Sequence, residues 1–471
     1  MKRTTVLLIF IVFTFFKQVY FQYLTGINEG SIFEAANLLM LISLLSFTLF
    51  IAAAISWISP RKLLRATLII SVFLSALLFS DTLYFRYYNN VMTLELLYQL
   101  GLIDTIGDSV TSLIGGIDLL FFLDIPVYIL LLQKLKKHKN FFKVERKKYF
   151  FPAVFASAGA LLLLLVSLNM PFELFRFDNI YTIKRMGISY FHTVSSAEFI
   201  ADVIPIKKSI QPEELEEIEQ LLEDNETGSL YHGVAKGKNL IIVQLEAIQH
   251  FVIDLRVNGV EVTPNLNSFR RECAYFDDLY YQTAGGNTSD AEFIMNTSLY
   301  PADEGAVYFI YPHNDYHSLP GILNKQGYSS FSFHSNRAEY WNRSDMHENL
   351  GFDKYFDESC FEQDKTIGWG LADESFYMQL LDKFDHTRPF YSFIVSLSSH
   401  YPFDFFSGYD FDTTGIEYDL MSNYLKAANY ADKAFGLFIK ELKDRGIFDS
   451  SLLLVYGDHQ AIPKNKIAAF E

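Results

Sequence analysis

The sequence is poor in cysteine, and its longer second part lacks clustered basic residues. Only two cysteines occur in 471 residues, Cys273 and Cys360. They could pair with each other, but two cysteines do not make a disulfide framework. No Cys-x-x-Cys motif is present to suggest a structural zinc site. From Pro171 onward, 46 Asp and Glu face only 24 Lys and Arg. This acidic balance argues against nucleic acid as a partner, because phosphate binding requires clustered Lys and Arg.

The first third is instead mildly basic and rich in long apolar runs. Most of the five runs come close to the roughly 20 residues that span a bilayer as a helix. Asp124 and Pro126 interrupt the fourth run, which is the weakest. A cleaved signal peptide is the alternative for the first run, but that run is longer than a usual signal sequence and others follow it. We expect five transmembrane helices within residues 1–171, at Val6–Tyr23, Ala36–Trp57, Leu68–Phe85, Leu119–Leu132 and Phe151–Met170.

Basic residues between these runs predict the orientation of the chain. They precede the first run, follow the second, and form a dense cluster between the fourth and fifth. Short loops rich in Lys and Arg remain in the cytoplasm. Five spans then place everything after residue 171 outside the cell. We therefore expect a multi-pass protein of the cell membrane whose C-terminal part is extracellular.

The outer part divides into a connector and an α/β domain. Residues 172–236 include an acidic amphipathic helix at Pro212–Glu226, and residues 237–471 alternate β-rich runs with helical segments. That alternation predicts a largely parallel sheet. Four of the β-rich runs end in chemically useful side chains. Because ligands bind beyond the carboxyl ends of parallel strands, we expect these side chains to form one site: Glu246, His334, His400 and the pair Asp458–His459.

Two carboxylates and an imidazole in this set are the usual donors for a divalent metal ion. Glu246, Asp458 and His459 offer mostly oxygen ligands, which favour Mn²⁺ or Mg²⁺ over Zn²⁺. Each acid alone is also typical of a solvated strand end or a helix cap. The adjacent Asp458–His459 pair, directly after an apolar strand, favours the metal site.

The stretch GGNTSDAEF, residues 285–293, predicts a helix start that presents a hydroxyl. Ser289 and Glu292 fit a capping box, with Ser289 at the N-cap, which would put Thr288 just before the helix. The free N–H groups of a first helical turn bind anions such as phosphate. A cation beside Thr288 would activate its hydroxyl as a nucleophile. Ordinary capping is one alternative, and glycosylation is another, since Asn287 and Asn296 both begin an acceptor sequon.

A second group of side chains suits a phosphoryl substrate. We expect Arg343 to contact phosphate oxygens, Trp341 to pack against a small polyol, and His334 to donate a hydrogen bond. His400 is a candidate general acid for the leaving oxygen. Spacing alone also allows ordinary packing and a surface ion pair for Trp341 and Arg343.

These motifs together resemble the lipoteichoic acid synthase family, over nearly the whole chain. The family consists of membrane phosphoglycerol transferases with a sulfatase-like, alkaline-phosphatase-type outer domain. The resemblance rests on a strand ending in LE, then TSDAEF, HxxxxxxWNR, SLSSHYPF and YGDH, in the family's order. It implies that Glu246, Thr288, Asp458 and His459 hold one Mn²⁺, with Thr288 as nucleophile. It also implies that four residues contact glycerol phosphate: His334, Trp341, Arg343 and His400.

The family's reaction supplies the expected partners. Threonine attacks the phosphorus of phosphatidylglycerol, and diacylglycerol leaves. The glycerophosphoryl group then passes to a glycolipid or to a growing polyglycerolphosphate chain. Two departures qualify this expectation. Asn336 stands where some members carry an acid, which bears on substrate detail. Members also usually continue beyond the position of Glu471, so the resemblance implies an outer domain that is incomplete at its C-terminus.

Other functions remain open from the sequence. A sulfatase or phosphodiesterase would use the same metal and nucleophile, but a threonine cannot become formylglycine and no such signature surrounds either cysteine. A phosphoethanolamine transferase would share the architecture. A membrane-tethered binding protein without catalysis is the alternative from another class.

Overall fold

The computed structural model describes residues 3–28, 37–88, 90–102, 107–137, 150–168, 179–203 and 231–462. The chain forms two compact units. The first contains residues 1–94 and 110–204, and the second contains residues 95–109 and 205–462, as far as these are described. The acidic helix predicted at Pro212–Glu226 lies outside the described residues.

The first unit is a bundle of apolar helices. Four helical segments are long and apolar enough to cross a membrane: Arg3–Thr25, Leu38–Ile55, Lys62–Tyr88 and Gly116–Lys137. A shorter apolar helix covers Pro152–Val166. The structure thus has an apolar helix at each of the five predicted places, with the fifth shorter than the others. Its helices are α1 (Arg3–Thr25), α2 (Leu38–Ile55), α3 (Pro60–Tyr88), α4 (Gly107–Ser112), α5 (Asp124–Lys137), α6 (Phe150–Ser167), α7 (Asn179–Met186) and α8 (Ile188–Val203). The first three residues of α4 fall in the second unit.

Helices α7 and α8 fall in the stretch predicted as a connector, residues 172–236. Both pack against α2 in the first unit. An ion pair lies inside the bundle, because Lys17 Nζ is 2.7 Å from Asp124 Oδ1 and both side chains are buried. The predicted domain boundaries remain a prediction, since only part of the connector is described.

The second unit is built on a five-stranded sheet in the order β5-β4-β8-β1-β9, and every neighbouring pair is parallel. All six residues of β8 are buried, which is why this strand reads as an unbroken apolar run. The predicted parallel α/β domain is confirmed. The strands of this sheet are β1 (Asn239–Leu245), β4 (Ser329–His334), β5 (Lys354–Phe356), β8 (Phe390–Val395) and β9 (Ser451–Gly457).

Two hairpins and seven helices complete the described part of this unit. The hairpins are β2 (Arg256–Val257) with β3 (Val260–Glu261), and β6 (Thr366–Ile367) with β7 (Gly370–Leu371). The helices are α9 (Pro264–Arg270), α10 (Thr288–Thr297), α11 (Val307–Ile310), α12 (Leu319–Lys325), α13 (Arg343–Asn349), α14 (Asp373–Leu380) and α15 (Asp419–Asp444). Since the long strands are parallel, their carboxyl ends meet at one edge of the sheet.

Candidate active site

Four predicted metal ligands meet at this edge. Glu246 follows β1, Asp458 and His459 follow β9, and Thr288 is the first residue of α10. β1 and β9 are neighbours in register, so their following residues are brought together. All four side chains are buried. One possible ligand atom from each of Glu246, Asp458 and His459 lies within 4.8 Å of the others.

The distances place the threonine hydroxyl inside this cluster. Thr288 Oγ1 is 3.3 Å from Glu246 Oε2 and 3.3 Å from His459 Nε2. His459 Nε2 is also 3.5 Å from Glu246 Oε1 and 3.6 Å from Asp458 Oδ2. Four donors from three distant parts of the chain therefore face one small volume.

The donor set fits a divalent cation. Glu246 Oε1 is buried and has no hydrogen-bond partner among the described residues. His459 Nδ1 lies 2.9 Å from the carbonyl oxygen of Gln460, which can only accept. Nδ1 therefore carries the proton in neutral His459, which would leave the lone pair of Nε2 for a cation in this volume. No lysine or arginine in the described ranges pairs with Glu246 or Asp458. The fold and this donor set together imply a divalent metal ion.

Burial perturbs the ionisation of the cluster. Burial, followed by the charge of Glu246, raises the pKa of Asp458 to about 7. Burial also raises the pKa of Glu246. Burial lowers the pKa of His459, but the charges of Asp458 and Glu246 outweigh it, so the net change is upward. Two acids this close ionise together readily only when a positive charge lies between them.

Neighbouring groups hold the carboxylates in place. The backbone N–H groups of Ala247 and His459 donate to Asp458 Oδ1, both at 2.8 Å. The loop that follows β8 contacts both backbone groups of Glu246. The N–H of Glu246 donates to Ser396 Oγ at 2.9 Å, and the carbonyl of Glu246 accepts from Ser399 Oγ at 2.6 Å. These contacts leave carboxylate oxygens free to face the shared volume.

The predicted capping box is wrong. Helix α10 begins at Thr288, and its N-cap is Asn287 at φ +41°, with no side-chain cap. Ser289 Oγ donates to the carbonyl of Gly286 at 2.9 Å, so Ser289 is already helical rather than the N-cap. The carboxylate of Glu292 turns away from the helix start and pairs with Arg343. The tertiary ion pair has displaced the local cap.

Asp290 shapes the loop that presents Thr288. Its Oδ2 accepts from the N–H groups of Ala284 and Gly286, both at 2.9 Å. A Cβ at Gly286 would lie 2.2 Å from Asp290 Oδ1, so only glycine fits there. Burial raises the pKa of Asp290 to about 7, although the two N–H groups oppose the rise.

The sequon at Asn296 cannot carry a glycan in this fold. Asn296 is buried, its Nδ2 donates to the carbonyl of Glu292, and its Oδ1 accepts from the hydroxyl of Tyr391 at 2.7 Å. The two cysteines are free thiols, so the possible Cys273–Cys360 bond is absent.

The predicted substrate residues occupy different environments. His334 ends β4, and its Nδ1 lies 3.1 Å from the carbonyl of Val395, while its buried Nε2 has no partner among the described residues. Trp341 is buried in the hydrophobic cluster beside Phe309 and sits at φ +57°. Arg343 is fully buried and pairs with Glu292. Their contacts with substrate remain predictions.

His400 lies in the loop after β8, five positions beyond the end of the strand at Val395 rather than at its end. Its Nδ1 is 2.7 Å from the carbonyl of Tyr401, and its ring packs on Trp369 with the centroids 4.0 Å apart. Burial lowers the pKa of His400 to about 4. The imidazole is therefore neutral at pH 7. Because Nδ1 donates to a carbonyl, Nε2 holds the lone pair.

Several residues of this region were not identified as site residues from the sequence. They share polar contacts with the predicted set or stack on it. Only the SLSSH and TSDAEF motifs pointed toward some of them, and neither motif indicated which partner each side chain would choose. These residues are Gln244, Asp290, Glu292, His347, Trp369, Ser396 and Ser399.

Comparison with known proteins covers both units. Residues 1–204 match the lipoteichoic acid synthase N-terminal domain, and residues 238–467 match the sulfatase family. Lipoteichoic acid synthase 1 of Bacillus subtilis is 32% identical over 96% of this chain and 73% of its own length. Lipoteichoic acid synthase of Staphylococcus aureus strain USA300 is 31% identical over 98% of this chain and 73% of its own length.

Two solved structures are also similar. Lipooligosaccharide phosphoethanolamine transferase A of Neisseria meningitidis aligns with 98% of this chain and 83% of its own, at 13% identity and a TM-score of 0.57, which shows a shared fold. The lipoteichoic acid synthase LtaP of Listeria monocytogenes aligns with 51% of this chain and 60% of its own, at 34% identity and a TM-score of 0.49. The identity to the full-length relatives shows that the chain belongs to the lipoteichoic acid synthase family.

Proposed function

We propose that the chain is a membrane-anchored phosphoglycerol transferase. It moves glycerol phosphate from phosphatidylglycerol, through a Thr288-bound intermediate, to a glycolipid or a growing lipoteichoic acid chain. The observation that carries this proposal is the position of Thr288 Oγ1, 3.3 Å from both Glu246 Oε2 and His459 Nε2. A threonine hydroxyl buried among two acids and an imidazole supports a nucleophilic role for Thr288.

Glu246, Thr288, Asp458 and His459 would hold the cation, for which the oxygen-rich set favours Mn²⁺, with Mg²⁺ as the alternative. When bound, the ion supplies positive charge that favours loss of the threonine proton and balances charge on the phosphoryl oxygens. In the first step Thr288 loses its proton to solvent, a bond forms between Oγ1 and phosphorus, and the bond from phosphorus to the diacylglycerol oxygen breaks. The diacylglycerol oxygen takes up one proton as it leaves.

His400 fits both proton transfers. In the second step an acceptor hydroxyl attacks the phosphorus, gives its proton to His400 Nε2, and Thr288 Oγ1 leaves. In the first step the proton moves the other way, from His400 Nε2 to the diacylglycerol oxygen. The diacylglycerol oxygen then occupies the position that the acceptor oxygen takes in the second step. The negative phosphate of the donor raises the pKa of His400 and thereby favours its acid form in that first step.

The membrane unit suits this substrate. A donor that is itself a lipid stays in the bilayer, so the enzyme must hold its site near the outer leaflet. The cytoplasmic placement of the basic segments, together with five apolar helices, supports an extracellular outer unit. The acceptor is then a glycolipid or polyglycerolphosphate chain outside the cell.

Trapping the intermediate tests the proposal. Purified chain in nanodiscs is incubated with fluorescent phosphatidylglycerol and Mn²⁺. We expect release of diacylglycerol and a glycerophosphoryl group on the peptide that carries Thr288. Thr288→Ala should remove both signals. Ser289→Ala should retain them, because the Ser289 hydroxyl donates to the carbonyl of Gly286 and makes no other hydrogen bond within the described residues.

Phosphatidylethanolamine serves as the competing donor, because a phosphoethanolamine transferase shares the fold. Faster turnover of phosphatidylethanolamine would replace the proposed substrate. Diacylglycerol release by the Thr288→Ala variant would overturn the threonine intermediate.

A further inference from the structure

Glu292 lies one turn beyond Thr288 on α10 and makes a side-on pair with a buried arginine. Its Oε1 accepts from Nε and Nη2 of Arg343 at 3.0 and 2.6 Å, and its Oε2 lies 3.1 Å from Nε. Both side chains are fully buried. Two parallel contacts fix the plane of a guanidinium as well as its position. Helix α10 therefore carries both the candidate nucleophile and the group that orients Arg343.

His347 supports Glu292 from the same helix as Arg343. Its Nε2 is 2.9 Å from Glu292 Oε2, and its Nδ1 is 2.9 Å from Ser332 Oγ. A carboxylate only accepts, so Nε2 carries the proton, and Nδ1 accepts from the serine hydroxyl. Burial tends to raise the pKa of Glu292, but Arg343 and His347 outweigh it and lower the value to about 2. The carboxylate is thus ionised and held from two directions.

The guanidinium keeps an unused edge. Of its five N–H groups, one on Nε and one on Nη2 face Glu292, and one on Nη1 donates to the carbonyl of Tyr340 at 3.3 Å. Within the described part of the chain, the remaining N–H on Nη1 and the remaining N–H on Nη2 have no partner. These two N–H groups remain for the oxygens of a phosphate group.

Helix α13 brings Arg343 to the carboxyl end of β4. Its residue His347 contacts Ser332 Oγ at 2.9 Å, and Ser332 lies on β4 two residues before His334. The buried Nε2 of His334 has no partner in the described residues. An unsatisfied imidazole nitrogen and an unused guanidinium edge in one region are groups that a substrate can satisfy.

We propose that Glu292 is a positioning residue, which holds the guanidinium of Arg343 so that its free edge faces the phosphate group of the substrate. The inference rests on the proposed function, because it assigns Arg343 to the transferred phosphate. His347 acts with Glu292 by fixing its second oxygen. Glu292 does not itself touch the reacting atoms.

Calorimetry tests this role. It measures how tightly the full chain in detergent binds glycerol phosphate and inorganic phosphate. A misplacement of about 1 Å costs up to about 10²-fold. We expect Glu292→Gln and Arg343→Lys each to weaken glycerol phosphate binding by about 10-fold or more. The double variant should bind glycerol phosphate no more weakly than Arg343→Lys alone, because both substitutions disrupt the same contact between Arg343 and the phosphate group.

Asp432→Asn is the matched control. Asp432 is also a buried acid, and it accepts from the backbone N–H groups of Asn265 and Leu266. We expect this variant to melt earlier than wild type and to bind glycerol phosphate normally. If Glu292→Gln behaves in the same way, or if its loss adds fully to that of Arg343→Lys, the positioning role is wrong.

Two further outcomes separate this proposal from the proposed function. Binding that depends on Glu292, without diacylglycerol release by wild type, would refute the transferase and leave the positioning role standing. Turnover by wild type, together with unchanged glycerol phosphate binding in Glu292→Gln, would support the transferase and refute the positioning role. Should Glu292→Gln not fold, His347→Asn leaves the ion pair intact and is expected to weaken binding by a smaller factor. Unchanged affinity in that variant overturns the role.

Discussion

Thr288 Oγ1 and His459 Nε2 lie 3.3 Å apart, although 171 positions separate them in the chain. The contact joins the first residue of α10 to the residue that follows Asp458 after β9. It therefore brings a candidate nucleophile and a candidate metal ligand into one buried cluster. The proposed role of this cluster can be tested by metal binding, by replacing His400 and by changing the loop that presents Thr288.

Metal binding should reverse the pH dependence of stability. Burial and Glu246 raise the pKa of Asp458 from 3.8 to about 7 in the metal-free fold. An acid with a raised pKa contributes stability at low pH that is lost as the pH rises through its folded pKa. Between about pH 5 and pH 8 the metal-free chain should therefore lose stability. Metal affinity should rise over the same interval, because the ligand must be deprotonated.

Thermal melting with Mn²⁺ or with a chelator, at several pH values, measures both effects. Asp458→Asn should reduce the metal-free trend, to which the raised pKa of Asp290 also contributes, and should remove the stabilisation by Mn²⁺. A similar Mn²⁺-induced rise in Tm for wild type and Asp458→Asn would show that the ion binds elsewhere.

Replacing His400 should slow the chemical step. Its Nδ1 is held by the carbonyl of Tyr401, so Nε2 is the atom that exchanges a proton with the lipid or acceptor oxygen. We expect His400→Gln to lower kcat for diacylglycerol release by about 10²- to 10⁴-fold, with a smaller change in KM. His386→Gln is the control, since the Nε2 of His386 lies 2.7 Å from the carbonyl oxygen of Leu381. Loss of donor binding with unchanged kcat would assign His400 to binding alone.

The candidate metal cluster could be predicted from the sequence because its geometry follows from the sheet. Glu246 directly follows β1 and Asp458 directly follows β9, and adjacent parallel strands deliver such residues to one place. Their spacing in the sequence carries no such information by itself. The alternation of β-rich and helical segments was enough to predict the parallel sheet and hence the meeting point.

The ion-pair partner of Glu292 could not be predicted from the sequence in the same way. Local rules place an acid at this position of a first helical turn as a cap. In the fold, Arg343 and His347 offer it two tertiary contacts, and the capping contact is absent. His400 illustrates a related limit, because its apolar run predicts a strand but not the turn that separates the strand from the histidine. Side-chain partners across elements depend on packing that periodicity does not encode.

Gly286→Ala should disturb the loop that presents Thr288. The added Cβ would lie 2.2 Å from Asp290 Oδ1 and 2.8 Å from Ser289 Oγ, both within α10. The carboxylate of Asp290 would have to move, and its contacts with the N–H groups of Ala284 and Gly286 would weaken. We expect a lower Tm and a loss of kcat of about 10-fold or more.

Gly408→Ala is the control for this change. Apart from its chain neighbours, no described residue has an atom within 4 Å of a Cβ at Gly408, so the stability and turnover of this variant should match wild type. Normal kcat in Gly286→Ala would mean that the loop tolerates the shift and that Asp290 does not position Thr288.

In the membrane unit, Lys17 and Asp124 should depend on each other. Lys17 Nζ contacts Ser71 Oγ at 2.7 Å, Ser75 Oγ at 2.6 Å and Asp124 Oδ1 at 2.7 Å, with both charged side chains buried. Lys17→Met leaves an uncompensated acid inside the bundle, which costs about 3–5 kcal/mol. Lys17→Met combined with Asp124→Leu removes both charges and should recover most of that loss. Melting of the detergent-purified chain measures this, with exposed Lys62→Met as the control. If the double variant is no more stable than Lys17→Met alone, lost packing rather than the unpaired charge explains the effect.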